Sequence, residues 1–139
     1  MKLVTFISAG TFIVLSAFVM KKEKTTNTTS LYDTKWSLKK IHTDAGVEEV
    51  NTKAFIKLNA EKKSAGGNGS CNTFGSSFSI INNTISFKNI FSTKMYCEGV
   101  QQIEDAFFKQ LEKVNRLEVT DKALVLFHEN EILLEFDSE

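Results

Sequence analysis

The chain of 139 residues has no proline, two cysteines, one tryptophan and two histidines. With no proline to lock φ, its turns must fall to Gly, Asn, Asp and Ser. Two cysteines allow at most one bridge within the chain. Net charge is absent too: 17 Lys and Arg balance 17 Asp and Glu, and the signs are well mixed. No block of Lys/Arg can form a phosphate-tracking stripe, which removes nucleic acid from the expected partners. Internal repeats are missing as well. What the chain does have is apolar material, 42% of its residues including twelve Phe. That suffices for one packed core in a chain of single-domain length, and aromatic residues suit sheets better than helices.

The first twenty residues read as a targeting segment. Lys2 gives a short basic start, and "LVTFISAGTFIVLSAFVM" (3–20) is the apolar run of a signal peptide. Thr5, Ser8, Thr11 and Ser16 make it a poor permanent membrane span. The "KKEK" that follows favours retention on the cytoplasmic side, so an uncleaved N-terminal anchor is the alternative. Despite that charge, the rest of the chain is expected outside the cytoplasm, in the periplasm or envelope or secreted. A membrane would be met only through this segment, if it stays uncleaved. "LSAF" has the form of a lipoprotein box, but Phe18 stands where the acylated Cys belongs, so no lipid anchor is expected. Residues 21–30, ending in "TTNTTS", form a polar tether, and the folded domain is expected over 31–139.

Across that domain, apolar residues alternate as half-buried antiparallel strands require. "TKWSLKKI", "AFIKLNA", "SSFSII", "TISFKNIF", "RLEV", "ALVLFHE" and "ILLEFD" are strand candidates. Asn82-Asn83, Asp121-Lys122 and Asn130 mark turns between neighbours. Glu98 to Val114 breaks the pattern: Val100, Ile103, Phe107, Leu111 and Val114 recur at helical spacing. Glu48 and Glu49 read as part of a polar loop. The expected fold is mainly β (α+β): a small, strongly curved antiparallel sheet or barrel of about seven or eight strands, with one packed α-helix.

The stretch "GGNGSCNTFGSSF" (66–78) is where chemistry would be sought. No Lys lies between Lys63 and Lys88, which rules out a P-loop lysine there. Asn72 occupies the place of the third glycine of a dinucleotide fingerprint. A nucleophilic Cys71 would need a base, and His42 and His128 each stand alone near a strand end. The short Cys and His spacings of zinc sites are missing, so no metal or cofactor is expected. The acidic residues alternate with apolar ones as a solvated strand face does. Cys71 and Cys97 fit a disulfide in an exported chain; two unpaired buried cysteines are the other reading. The glycines are expected to let the backbone turn a tight corner at Cys71.

These residues resemble the META-domain, HslJ-like family over about Leu31 to Phe136. The likeness rests on Trp36-x-Leu38, the Gly-rich run into Cys71-Asn72-x-Phe74 with Gly69 before it, and Phe78. It continues through Thr93-x-Met95-x-Cys97, then Glu104, Phe107 and Leu111, and closes on Leu124, Leu126, Leu134 and Phe136. Ser70 stands where the family usually has Gly, and Ser76 where it often has Gly. The resemblance implies a small antiparallel β-fold with one helix, no established catalysis, and an association with envelope or heat-shock-type stress. On this reading Trp36, Gly69, Asn72, Phe74, Thr93 and Met95 are structural, with Phe74 and Met95 filling core. The leading expectation is a non-enzymatic domain that binds an unknown protein partner. A curved-sheet binder of an apolar ligand or lipid is the alternative, and a thiol enzyme using Cys71 a further one.

Overall fold

The computed structural model describes residues 31–139. The expected signal segment and tether, with the Phe18 reading, lie outside the described residues. The element order is β1 (Trp36–Thr43), β2 (Gly46–Glu49), β3 (Phe55–Asn59), β4 (Ser64–Asn68), β5 (Thr73–Ile81), β6 (Thr84–Ser92), α1 (Gln101–Lys113), β7 (Arg116–Val119), β8 (Ala123–His128) and β9 (Glu131–Ser138). All named strands pair antiparallel.

The sheet closes on itself. Strand order runs β2-β1-β3-β4-β5-β6-β7-β8-β9, and β9 returns to β1 from Trp36↔Ser138 to Ile41↔Leu134. Closure reduces the free strand edges that would otherwise invite aggregation, leaving β2 open on its outer side. The seam is narrowest at β6–β7, where Thr84↔Arg116 is the ladder pair. Outside the ring, β2 folds back along Lys40–Thr43 of β1 and is exposed throughout. Glu48 and Glu49 therefore sit in a strand and not in a loop, because pairing with Ile41 and Lys40 satisfies their backbone. The turn residues act as their chemistry suggests: Asn82, between β5 and β6, takes φ 56°.

Around the ring, β6 lies opposite β1, yet α1 contacts β6, β1 and β9. A helix can reach opposed staves only by lying across the barrel mouth. It plugs that mouth with Phe107 and Leu111, both fully buried. It begins at Gln101, so Glu98 precedes it and does not belong to its first turn. The plug joins a core of Trp36, Leu38, Ile41, Ile56, Leu58 and Phe136 that fills the interior. Phe74 meets Phe107 edge-on at 5.6 Å between ring centroids, and Phe107 meets Phe136 at 6.0 Å. Burying each such side chain is worth about 1.5–3 kcal/mol. Trp36 donates from Nε1 to the Leu31 carbonyl at 3.0 Å and pins the start of the described domain. Among the described residues, no helix is long and apolar enough to cross a membrane.

Candidate functional site

The β4–β5 connection sits under the N-terminal half of α1, and close backbone approach explains its glycines. A Cβ at Gly67 would lie 2.0 Å from the Phe55 carbonyl oxygen. A Cβ at Gly69 would lie 2.6 Å from Phe108 Cζ and 2.7 Å from Glu104 Oε2. Gly66, Gly67, Gly69 and Gly75 do not adopt positive φ; the turn falls on Ser70, at φ 121°. The expectation that these glycines supply the turn is thus corrected. They make room for neighbours, while Ser70 takes the strained angle. Its N–H donates to Asn68 Oδ1 at 2.9 Å, and its hydroxyl pairs with Thr52 Oγ1 at 2.8 Å.

Asn72 and Glu104, both buried, knit the corner to the helix and to the 93–97 segment. Glu104 Oε2 accepts the backbone N–H groups of Cys71 at 2.9 Å and Asn72 at 2.6 Å. Its Oε1 accepts from Asn72 Nδ2 at 2.5 Å. Asn72 Oδ1 in turn accepts the Thr93 hydroxyl and the Met95 N–H, each at 2.8 Å. Asn72 Nδ2 also donates to the Met95 carbonyl at 3.0 Å. Every polar atom of both side chains is therefore partnered, the condition under which a buried polar network rigidifies a fold. The disulfide between Cys71 and Cys97, with Cα atoms 5.7 Å apart, adds a covalent tie. Neither cysteine is a free thiol, and Cys71 is buried, so it is not presented as a nucleophile.

Gly69, Cys71, Asn72, Phe74, Thr93, Met95 and Cys97 thus converge, whereas Trp36 makes its side-chain hydrogen bond to the Leu31 carbonyl and to none of them. Phe74 fills core as expected; Met95 does not. Its side chain is 60% exposed, because the corner uses its backbone N–H and carbonyl instead. Phe91 and Tyr96 are 70% and 78% exposed. The 91–96 segment accordingly presents three large apolar side chains on a braced backbone. The Phe91 ring lies over Gly75, where a Cβ would come within 2.6 Å of it.

His42 and His128, isolated in sequence, line one cleft at the other end of α1. The buried polar side chains of α1, Glu104 and Gln110, were not assigned these contacts from sequence. Both lie on its core-facing stripe beside Phe107 and Leu111, and a polar residue on such a stripe was the available signal. Among the described residues, no group of three or more His, Cys, Asp and Glu side chains is placed to hold a metal ion.

The profile of the META domain matches residues 29–139. No curated protein matches in sequence. Among solved structures, an NMR structure of a protein from Burkholderia xenovorans is similar, with TM-score 0.67 and 25% identity, covering 81% of this chain and 86% of that one. A DUF4847 family protein from Bacteroides vulgatus shares the fold, with TM-score 0.57 and 12% identity, covering 77% of this chain and 93% of its own.

Proposed function

Since the chain belongs to the META-domain family, we propose that it is a non-catalytic, extracytoplasmic binding module acting in envelope or heat-shock-type stress. The observation that carries this reading is the exposed trio Phe91, Met95 and Tyr96 beside the corner. Three large apolar side chains left exposed within six residues of one segment mark an interaction site more often than exposed apolar residues scattered singly do. Their backbone is fixed in advance by Asn72, Glu104 and the disulfide, so binding would cost little ordering entropy. Aromatic and Met side chains are also those enriched in protein interfaces. An apolar ligand inside the barrel has less support, because core side chains occupy that volume. A thiol enzyme has less still, with both sulfurs in one bridge.

A photo-crosslinking side chain at Tyr96, compared with one at Ile81, tests this in stressed cells. Ile81, 75% exposed at the β5–β6 turn, serves as the internal control. A discrete protein adduct at position 96 and none at 81 is expected. Equal labelling at both positions, or none at either, would remove the proposal.

A further inference from the structure

Three sulfur atoms belong to the described domain, and the fold ties up two of them. Met1 and Met20 lie outside the described residues, so Met95 is the one methionine among these. Cys71 and Cys97 share a bridge, and neither is a free thiol. The remaining sulfur, a thioether, belongs to a residue that is 60% exposed. The Trp36 indole, another oxidisable group, is fully buried. Oxidants that donate an oxygen atom attack accessible thioethers first, so among the described residues they meet Met95.

Position decides what that reaction does. A methionine inside a core loses its packing when it gains an oxygen. Met95 lends the core no side chain. The fold uses its N–H, donated to Asn72 Oδ1 at 2.8 Å, and its carbonyl, which accepts from Asn72 Nδ2 at 3.0 Å. Neither bond involves Sδ, and the bridge at Cys97 holds the chain two residues on. Oxidation therefore leaves the corner intact and alters only the surface, where Met95 stands between Phe91 and Tyr96 in the apolar trio. Met95 also lines a groove of about 370 Å³ with Lys94, Gln101, Asp105 and Phe108. Lys94 Nζ donates to Ser92 Oγ at 3.2 Å and Gln101 Nε2 to Asp105 Oδ1 at 3.0 Å, and each nitrogen has a further proton to offer a sulfoxide oxygen. The oxidised side chain thus has donors in the groove, away from the apolar face.

We propose that Met95 is an oxidation site whose conversion to the sulfoxide switches off the apolar face without unfolding the domain. Hydrogen peroxide or hypochlorous acid supplies the oxygen. A sulfur lone pair forms the S–O bond as the O–O or O–Cl bond breaks, and water or hydrogen chloride leaves. Sulfur is oxidised by two electrons and the oxidant is reduced by two. A sulfoxide reductase reverses the step: two thiols become a disulfide and the oxygen leaves as water. The switching half rests on the partner reading above, and the oxidation half does not.

The test is treatment of the full chain with hydrogen peroxide, followed by peptide mapping in a mass spectrometer. Met95 should gain the mass of one oxygen at a rate within about threefold of free N-acetylmethioninamide, with Tm unchanged. A slower reaction would show the thioether shielded, and a fall in Tm that Met95→Leu does not share would show it packed; either overturns the site. Retention on a phenyl column reads the apolar face without any partner. Oxidation should shorten it more in wild type than in Met95→Leu, and Met95→Gln should elute early untreated. Equal shortening in wild type and Met95→Leu would overturn the switch. In stressed cells the protein adduct at Tyr96 should fall by about fivefold in Met95→Gln and survive peroxide in Met95→Leu. An adduct undiminished by Met95→Gln would overturn the switch and leave the partner reading standing. With mapping and retention as expected, the lack of any adduct would remove the partner reading and leave the oxidation site.

Discussion

Ser70 and Glu104 each occupy a position that would be costly without its local partners. Ser70 sits at φ 121°, where an L side chain is strained and glycine is not. Ser70→Gly and Ser70→Ala both delete the hydroxyl that meets Thr52, so their difference isolates the Cβ. The glycine variant should be the more stable by about 1–2 kcal/mol in denaturant unfolding, and equal stability would show that the angle carries no strain. Glu104 places a carboxylate in a buried setting, which is tolerable because its oxygens accept from Cys71 N–H, Asn72 N–H and Asn72 Nδ2. Glu104→Gln keeps the shape but sets an NH₂ group against a donor. We expect a loss of about 2–4 kcal/mol, read as a lower denaturation midpoint. Asn72→Ala should likewise lower Tm, and an unchanged Tm with lost partner binding would instead make Asn72 a contact residue. The sequence showed Glu104 only as one member of a helix pattern. Its partners Cys71 and Asn72 lie more than thirty residues away, a pairing that periodicity cannot encode.

At the scale of elements, the segment between β6 and α1 has little regular structure, yet it is fixed at several points. Thr93 N–H donates to the Thr73 carbonyl at 3.1 Å, Asn72 holds Met95, and Cys97 is bridged. The bridge spans 26 residues in sequence. Loop-closure entropy for that length gives about 3–4 kcal/mol. The Cys71→Ala, Cys97→Ala double variant should lose about that much, and a loss below about 1 kcal/mol would mean that the hydrogen bonds alone hold the segment. Strands and helix were legible in sequence because alternation and helical spacing report which face is buried. β2 and β4 were not legible: Gly46–Glu49 is exposed on every side chain, and Ser64–Asn68 buries only Ala65, so neither leaves an alternating pattern. Nor could spacing reveal the true role of Gly67 and Gly69, since what they accommodate belongs to β3 and α1.

For the whole molecule, closure of the ring brings the two ends of the described domain together. The Glu139 carboxylate meets Lys35 and the Ser37 hydroxyl, and its N–H reaches the Lys35 carbonyl at 3.0 Å. The hydrogen bonds from Lys35 and then from Ser37 hold the Glu139 pKa below the usual glutamate value. A carboxyl group whose folded pKa is lowered stabilises the fold above its unfolded pKa and loses that contribution as pH falls through the folded value. Wild type should therefore exceed Glu139→Gln in Tm by a small margin at neutral pH. The margin should shrink as pH drops below about 4.3, and should also shrink in high salt because the site is exposed. A gap that widened toward acid would reverse the assignment.

By itself the sequence determined the fold class, the helix and much of the core, and it limited the cysteines to one possible bridge, because burial periodicity and composition are local records of which surfaces must leave water. The tertiary structure alone decided that the sheet closes, with α1 across one mouth. It also turned Met95 outward while using its backbone, and placed His42, His128 and Gln110 around one cleft. Those outcomes depend on which surfaces meet across long sequence separations, where hydrogen-bond partners and close packing, and not hydrophobic pattern, select the arrangement.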